Sequence, residues 1–232
     1  FGIPYRILYS KNIPNLMFAG RNTSCSHAAM SSTRLIATCA VMGQAVGTAA
    51  AIATAQGITP REVGGQIKVL QQMLLRDECY LPGVPQEFGP LTVESSLVAN
   101  QGNPEPLRDG INRQVGENPH SWTCSPGDHV AYVFPRAAYV HEATLLLDAD
   151  LSKGIGHKYH PGNVLTAIPP VMPKVFHIDG LMGGEWQTLA TIEDNHQRLV
   201  RVSLDRELGG VRFVLDETWG SDTTQVYAFY LD

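Results

Sequence analysis

Charge is scarce in this sequence: Asp, Glu, Lys and Arg make up 17% of 232 residues, and the net charge is -5. No basic cluster occurs, so the electrostatic footprint of a nucleic-acid binder is missing. No unbroken run of about 18 apolar residues occurs either, which argues against a membrane span. The most apolar stretch, Leu35 to Ala55, is interrupted by Gly43, Gln44, Gly47 and three Thr, and reads as a buried helix. Cysteine is sparse. Cys25, Cys39, Cys79 and Cys124 fit no zinc or CxxC spacing, and free buried thiols are expected rather than disulfides. Phe1 opens the sequence without Met or a charged n-region, so no signal peptide is read. The compartment stays open, an extracytoplasmic one included. A GxGxxG turn between strand and helix is also missing, so no self-contained dinucleotide-binding unit is encoded.

What is present falls into two unlike halves. Hydrophobic residues reach 44%, enough for packed cores. Up to about residue 82, Ala, Met and Leu dominate with helical periodicity; beyond it, Pro, Gly, Trp, Tyr and alternating Val/Leu segments take over. The stretch Leu81 to Pro90 holds three Pro and two Gly and reads as a linker. The expected organisation is residues 1–82, a linker over 83–90, and a second domain over 91–232.

In the first half, Asn15 to Ala19 closes on Gly20 and predicts a buried parallel strand. A polar loop, Arg21 to His27, leads to a long helix starting near Ser31 or Ser32 and ending at Gln56, with Gly57 as its stop. Thr59, Pro60 and Glu62 announce a second helix with Ile67, Leu70, Leu74 and Leu75 on its apolar face. A helix N-terminus beyond a strand and glycine suits an anionic or electron-rich ligand group.

The residues Ile3-Pro4-Tyr5-Arg6, Ala19-Gly20-Arg21, Ser24 with His27, Arg34 with Thr38-Cys39, and Gly43 with Gly47 form a dense pattern from Ile3 to Ala53. It resembles the C-terminal end of the flavin domain in bacterial FAD-dependent oxidoreductases. The resemblance implies that Gly20 and Arg21 follow the last strand of a Rossmann-type sheet close to the cofactor. It places Asn22 and His27 near the flavin. It also puts Ser32, Thr33 and Arg34 at a helix start, with N–H groups facing the isoalloxazine carbonyl or the phosphates. Two departures stand out: Ser31 occupies a position often held by Gly, and Ala37 one often held by Pro. FAD is thus the implied cofactor. With no GxGxxG segment, most of its pocket must come from outside these residues. The chain then reads as a C-terminal fragment that is inactive alone, retains no FAD by itself, and acts on an unknown small-molecule substrate only as part of its parent.

The second half is strand material: His129 to Phe134, Ala143 to Leu147, Lys174 to Ile178, Leu199 to Ser203, Gly210 to Leu215 and Val226 to Leu231. With no long helix between them, an antiparallel sandwich is favoured over βαβ units. The fold class expected for the whole chain is therefore α+β: a helical remnant of an α/β domain, then a jelly-roll sandwich. Ser95, Ser96, Asn100, Pro106 to Gly110, Trp122, Phe134-Pro135, Phe176 to Gly180, Glu185-Trp186 and Arg212-Phe213 resemble the galactose-binding-like, discoidin-type sandwiches. That resemblance implies two ligands. One is calcium at the Asp109-Gly110 loop with Asn112; Gln225 stands where an acidic group would help, so no metal is assigned. The other is a carbohydrate held by loop aromatics; Trp122 and Trp186 read as core residues and Trp219 as the exposed candidate. His157 and His160 read as a solvent loop, 151–173 as a long connection that is either mobile or covers an edge, and Asp148 and Asp150 as solvated carboxylates.

Three readings stay open: part of an FAD-dependent oxidoreductase with an accessory sandwich, a carbohydrate- or partner-binding module, and a sandwich that only braces the flavin domain.

Overall fold

The computed structural model describes residues 1–151 and 167–232. His157, His160 and most of the long connection lie outside the described residues. The chain divides into two compact units, Phe1–Gln86 and Glu87–Asp232.

The first unit is built on helices. The long helix expected from Ser31 onward is two: α1 (His27–Thr33) and α2 (Ile36–Gln56). Ser26, not Ser31 or Ser32, caps the first, its Oγ accepting from Ala29 N at 3.3 Å. The break falls at Arg34 and Leu35, where Leu35 turns extended at ψ 148°. Ser32 and Thr33 therefore close a helix instead of opening one. Gly57 ends α2 in the left-handed conformation, donating back to Ala53 and Thr54. Then come α3 (Pro60–Val63), a 3₁₀ turn and α4 (Ile67–Arg76). Thr59 and Glu62 form a reciprocal capping box at α3, and Pro60 occupies its first turn. Ala49, Ile52 and Ala53 of α2 meet Val63, Leu70, Leu74 and Cys79 in a small core.

Asn15 to Ala19 is not a buried parallel strand. Met17 makes one antiparallel bridge to Tyr9, and Leu16 is exposed. Phe18 N donates to Leu8 O and Ser10 N to Leu16 O, a hairpin-like pairing. A parallel strand needs flanking strands, and the described residues of this unit contain none. By length and composition α2 is long and apolar enough to cross a bilayer, because its Gly and Thr lower the mean hydropathy little. Its Ala49, Ile52 and Ala53 stripe is nonetheless packed as a core helix face.

The second unit begins with α5 (Pro90–Val93) and continues in strands β1 (Ser96–Ala99), β2 (Trp122–Cys124), β3 (His129–Leu147), β4 (Pro173–Met182), β5 (Glu185–Ile192), β6 (Leu199–Thr218) and β7 (Thr224–Leu231). All pairings are antiparallel. The hydrogen-bonded order is β2-β7-β3-β6-β4-β5, with β1 on β3. β3 and β6 are long enough to serve both layers of a jelly-roll sandwich. The first part of β3 pairs with β1 and the later part of β6; its last part pairs with β7 and the start of β6. Register shifts at Val133/Ala138 and Val140/Glu142 supply the bends.

The core follows from the alternation. Phe176 and Ile178 of β4, Val211, Phe213 and Leu215 of β6, and Val226, Phe229 and Leu231 of β7 point inward. Phe213 lies 5.5 Å from Phe176 and 6.5 Å from Phe229, ring centre to ring centre. The Tyr132 hydroxyl donates to Phe229 O at 2.7 Å, so its buried polar end is satisfied. Thr92 Oγ1 accepts from Leu231 N at 2.9 Å, fastening α5 to β7.

Candidate functional site

The loop between Phe18 and α1 is held from within. Gly20 is buried at φ +96°, and a Cβ there would meet Cys39 Cβ at 3.7 Å. Thr23 donates to Gly20 O from both N and Oγ1, at 3.1 and 2.8 Å. This tight turn leaves Arg21 and Asn22 exposed, and His27 exposed as the first residue of α1. Thr33 is buried, with its hydroxyl on Ala29 O at 2.9 Å and near Cys25 Sγ at 3.4 Å. Ser32 is half-buried beside it.

Arg34 is the unusual member. It is the C-cap of α1 and immediately precedes Leu35, the N-cap of α2. Its Nη1 lies 3.1 Å from Met30 Sδ, a weak acceptor, and its Nε is buried with no hydrogen-bond partner. Leu35 supplies no side-chain cap, and α2 has no acidic residue in its first turn. The amino end of a 21-residue helix therefore carries N–H groups that no side chain caps, beside a guanidinium with an unused donor. That combination suits an anionic oxygen or a flavin carbonyl and leaves a poor fit for a cation. Leu35 and Ile36 are exposed, the latter almost fully at 91%. The unit also holds an apolar cavity of about 590 Å³ walled by Tyr5, Val41, Met42, Leu70, Leu74 and Cys79.

Sequence reasoning placed Ser32, Thr33 and Arg34 at the amino end of one helix; they lie at the carboxyl end of another. Gly20 and Thr33 face inward, Arg21, Asn22 and His27 face outward, and Arg34 stands between. Leu35 and Ile36, whose N–H groups make the helix terminus, escaped notice because apolar side chains give no signal of a backbone site.

In the sandwich, the Asp109 carboxylate is engaged: Oδ1 accepts from Ile111 N at 2.8 Å, and Oδ2 lies 2.6 Å from His120 Nδ1. Asn112 turns its carbonyl to Arg198, and Gln225 accepts from Ser121. No group of three or more His, Cys, Asp or Glu residues suited to a metal occurs among the described residues. Trp122 is fully buried, with Nε1 donating to Gln101 O at 2.9 Å. Trp186 lies over Gly210 and under the Arg212 guanidinium. Trp219 is half-buried and not the free platform its loop suggested: Nε1 donates to Asn195 O at 2.6 Å, and Lys174 covers the ring. Asp148 is buried too, not solvated, and burial holds its carboxyl above the usual range although Asp150 N donates to it.

Residues 1–74 match the model of the FAD dependent oxidoreductase family. That match lies within the first unit. No curated protein matches the chain. Among solved structures, the family 32 carbohydrate-binding module of Streptococcus pneumoniae EndoD is 11% identical over 61% of this chain and 97% of its own, with a TM-score of 0.46. Chitosan-binding module 1 from a Paenibacillus sp. IK-5 chitosanase/glucanase is 12% identical over 61% and 97%, at 0.44. The family 32 module of C. perfringens NanJ, solved with galactose, is 11% identical over 60% and 93%, at 0.41. At such identities and scores the likeness carries no statement about a ligand of this chain.

Proposed function

We propose that the first unit is part of the flavin-binding domain of an FAD-dependent oxidoreductase, and that the sandwich is its accessory domain. In this reading Gly20, Arg21, Asn22, His27, Ser32, Thr33 and Arg34 form one wall of the pocket, and the remaining walls come from outside these residues. The observation that carries it is the uncapped amino end of α2 beside the unpaired Nε of Arg34. A buried donor without an acceptor costs about 1–3 kcal/mol, and an anionic ligand group would remove that cost. The exposed Leu35, Ile36 and Val41 along the first turns of α2 support it as well, since further protein would cover them. Flavin, when bound, supplies the two-electron chemistry. The chain's own part is to orient the cofactor: Gly20 holds the tight turn of the loop, and Arg34 with the helix terminus favours negative charge.

The test is a visible spectrum of the purified chain followed by titration with FAD, read by flavin fluorescence. No stoichiometric flavin band is expected, and only weak quenching that Arg34→Ala removes. Stoichiometric tight binding would overturn the shared pocket. Absence of any response that depends on Arg34 would overturn the assignment of this wall.

A further inference from the structure

At the carboxyl end of α1 a guanidinium is met by a sulfur atom. Met30 lies in the last turn of that helix and Arg34 is its C-cap. Arg34 N donates to Met30 O at 3.2 Å, so the two side chains leave the helix on one face. Arg34 Nη1 donates to Met30 Sδ at 3.1 Å. Among the described residues no carboxylate pairs with this guanidinium, and its buried Nε has no acceptor. Sulfur is a weak acceptor, whereas guanidinium groups bond best to charged or strongly polar oxygen. The donor here is strong, and one chemical step converts its poor acceptor into a good one. Met30 and Arg34 are both half-buried, which leaves room for a small molecule to arrive.

We propose that Met30 is a site of oxidation by hydrogen peroxide, with Arg34 as its positioning residue. The sulfur lone pair attacks one peroxide oxygen: an S–O bond forms and the O–O bond breaks. The second oxygen departs and takes the proton of the first, leaving as water. Sulfur loses two electrons and the peroxide gains them. Negative charge grows on the departing oxygen, and the guanidinium beside the sulfur stands where it stabilises that charge. Arg34 stays protonated throughout. The sulfoxide places a strongly polar oxygen where the thioether was, and Nη1 then donates to that oxygen. Oxidation thus engages the positive charge next to the amino end of α2, the charge that would otherwise meet the anionic group of a ligand. This last consequence rests on the flavin reading; the oxidation itself does not.

The experiment exposes the full chain to a limiting amount of hydrogen peroxide at neutral pH and quenches it with catalase. After digestion, each of the six methionines is followed by mass spectrometry for the gain of one oxygen atom. By exposure alone Met73, 40% exposed, would lead and half-buried Met30 would trail. The expected order is the reverse, with Met30 oxidised ahead of Met73. Arg34→Gln should slow Met30 roughly tenfold, as the loss of one charge-assisted hydrogen bond in the transition state does. Met17 and Met73 should keep their rates in that variant, which also shows that the first unit is intact. Oxidation of Met30 more slowly than Met73 in the unaltered chain would overturn the proposal. So would a Met30 rate that Arg34→Gln leaves unchanged or raises, the result if the guanidinium only ties up the sulfur lone pair. The readout is covalent mass, so a chain that binds no flavin still gives the answer.

Discussion

Glycine 210 shows how much one hydrogen atom can carry. A Cβ there would stand 2.5 Å from Tyr132 O, a backbone atom that cannot yield, and 3.2 Å from Trp186 Cη2. Gly180 is crowded as well, but by the ends of Leu189 and Leu208, which can turn aside. Gly210→Ala should therefore cost roughly 2–3 kcal/mol or more and Gly180→Ala distinctly less, measured by urea denaturation. Asp179 is another outward-pointing residue that the fold has enclosed, at 2% exposure. It accepts from Arg212 Nε and Nη2 at 2.9 and 2.6 Å and from the Thr188 hydroxyl at 2.8 Å. Asp179→Ala would strand a guanidinium half-covered by Trp186, and a loss of about 2–3 kcal/mol is expected. Burial pushes the Cys124 thiol up to about 12 and the Tyr132 hydroxyl upward as well. For groups raised on folding, the stability they lend is complete below their unfolded values and is lost as pH climbs toward the folded ones. The urea midpoint of the sandwich should thus fall steadily above pH 9, the ordinary thiol value, and Cys124→Ala should make that fall shallower. The sequence made the candidate loop residues visible as a pattern of types; it could not show Asp179, because a buried carboxylate on an outer face and a solvated one look alike in one dimension.

At the scale of elements, punctuation was legible and length was not. Gly57 and the Thr59–Glu62 box stand where their chemistry put them. Thr59 N and Oγ1 both donate to the Glu62 carboxylate and hold it below its ordinary value. A depressed carboxyl lends its stability above the unfolded value and withdraws it as pH falls through the folded one. Thr59→Ala should cost about 1 kcal/mol, read from thermal unfolding at 222 nm, and the difference from wild type should shrink below pH 4.5. The break at Arg34–Leu35 was missed because neither residue is a breaker by type; a backbone turn followed by an extended residue decides it. Asn15 to Ala19 reads as a strand by composition, yet among the described residues it finds only a short antiparallel partner in Leu8 to Ser10 and no parallel neighbour. In the sandwich, segments taken as four strands are two, because β3 and β6 continue through their bends. β1, β2 and β5 went unseen: two are very short, and β5 has little apolar alternation for a pattern to catch.

For the whole molecule, each unit closes its own core, and the larger one is in the sandwich. Residues 87–232 produced alone should keep a cooperative urea transition and sharp near-ultraviolet dichroism; a non-cooperative melt would show that the sandwich depends on the first unit. The sheet order has a further consequence during protein synthesis. β7, the last strand in the sequence, is an interior one, wedged between β2 and β3 and bearing Val226, Phe229 and Leu231 into the core. A nascent sandwich on the ribosome therefore exposes the edges of β2 and β3 until the final eight-residue strand clears the exit tunnel. Premature stop codons anywhere in β7 would release an aggregation-prone polypeptide, not a slightly shortened domain.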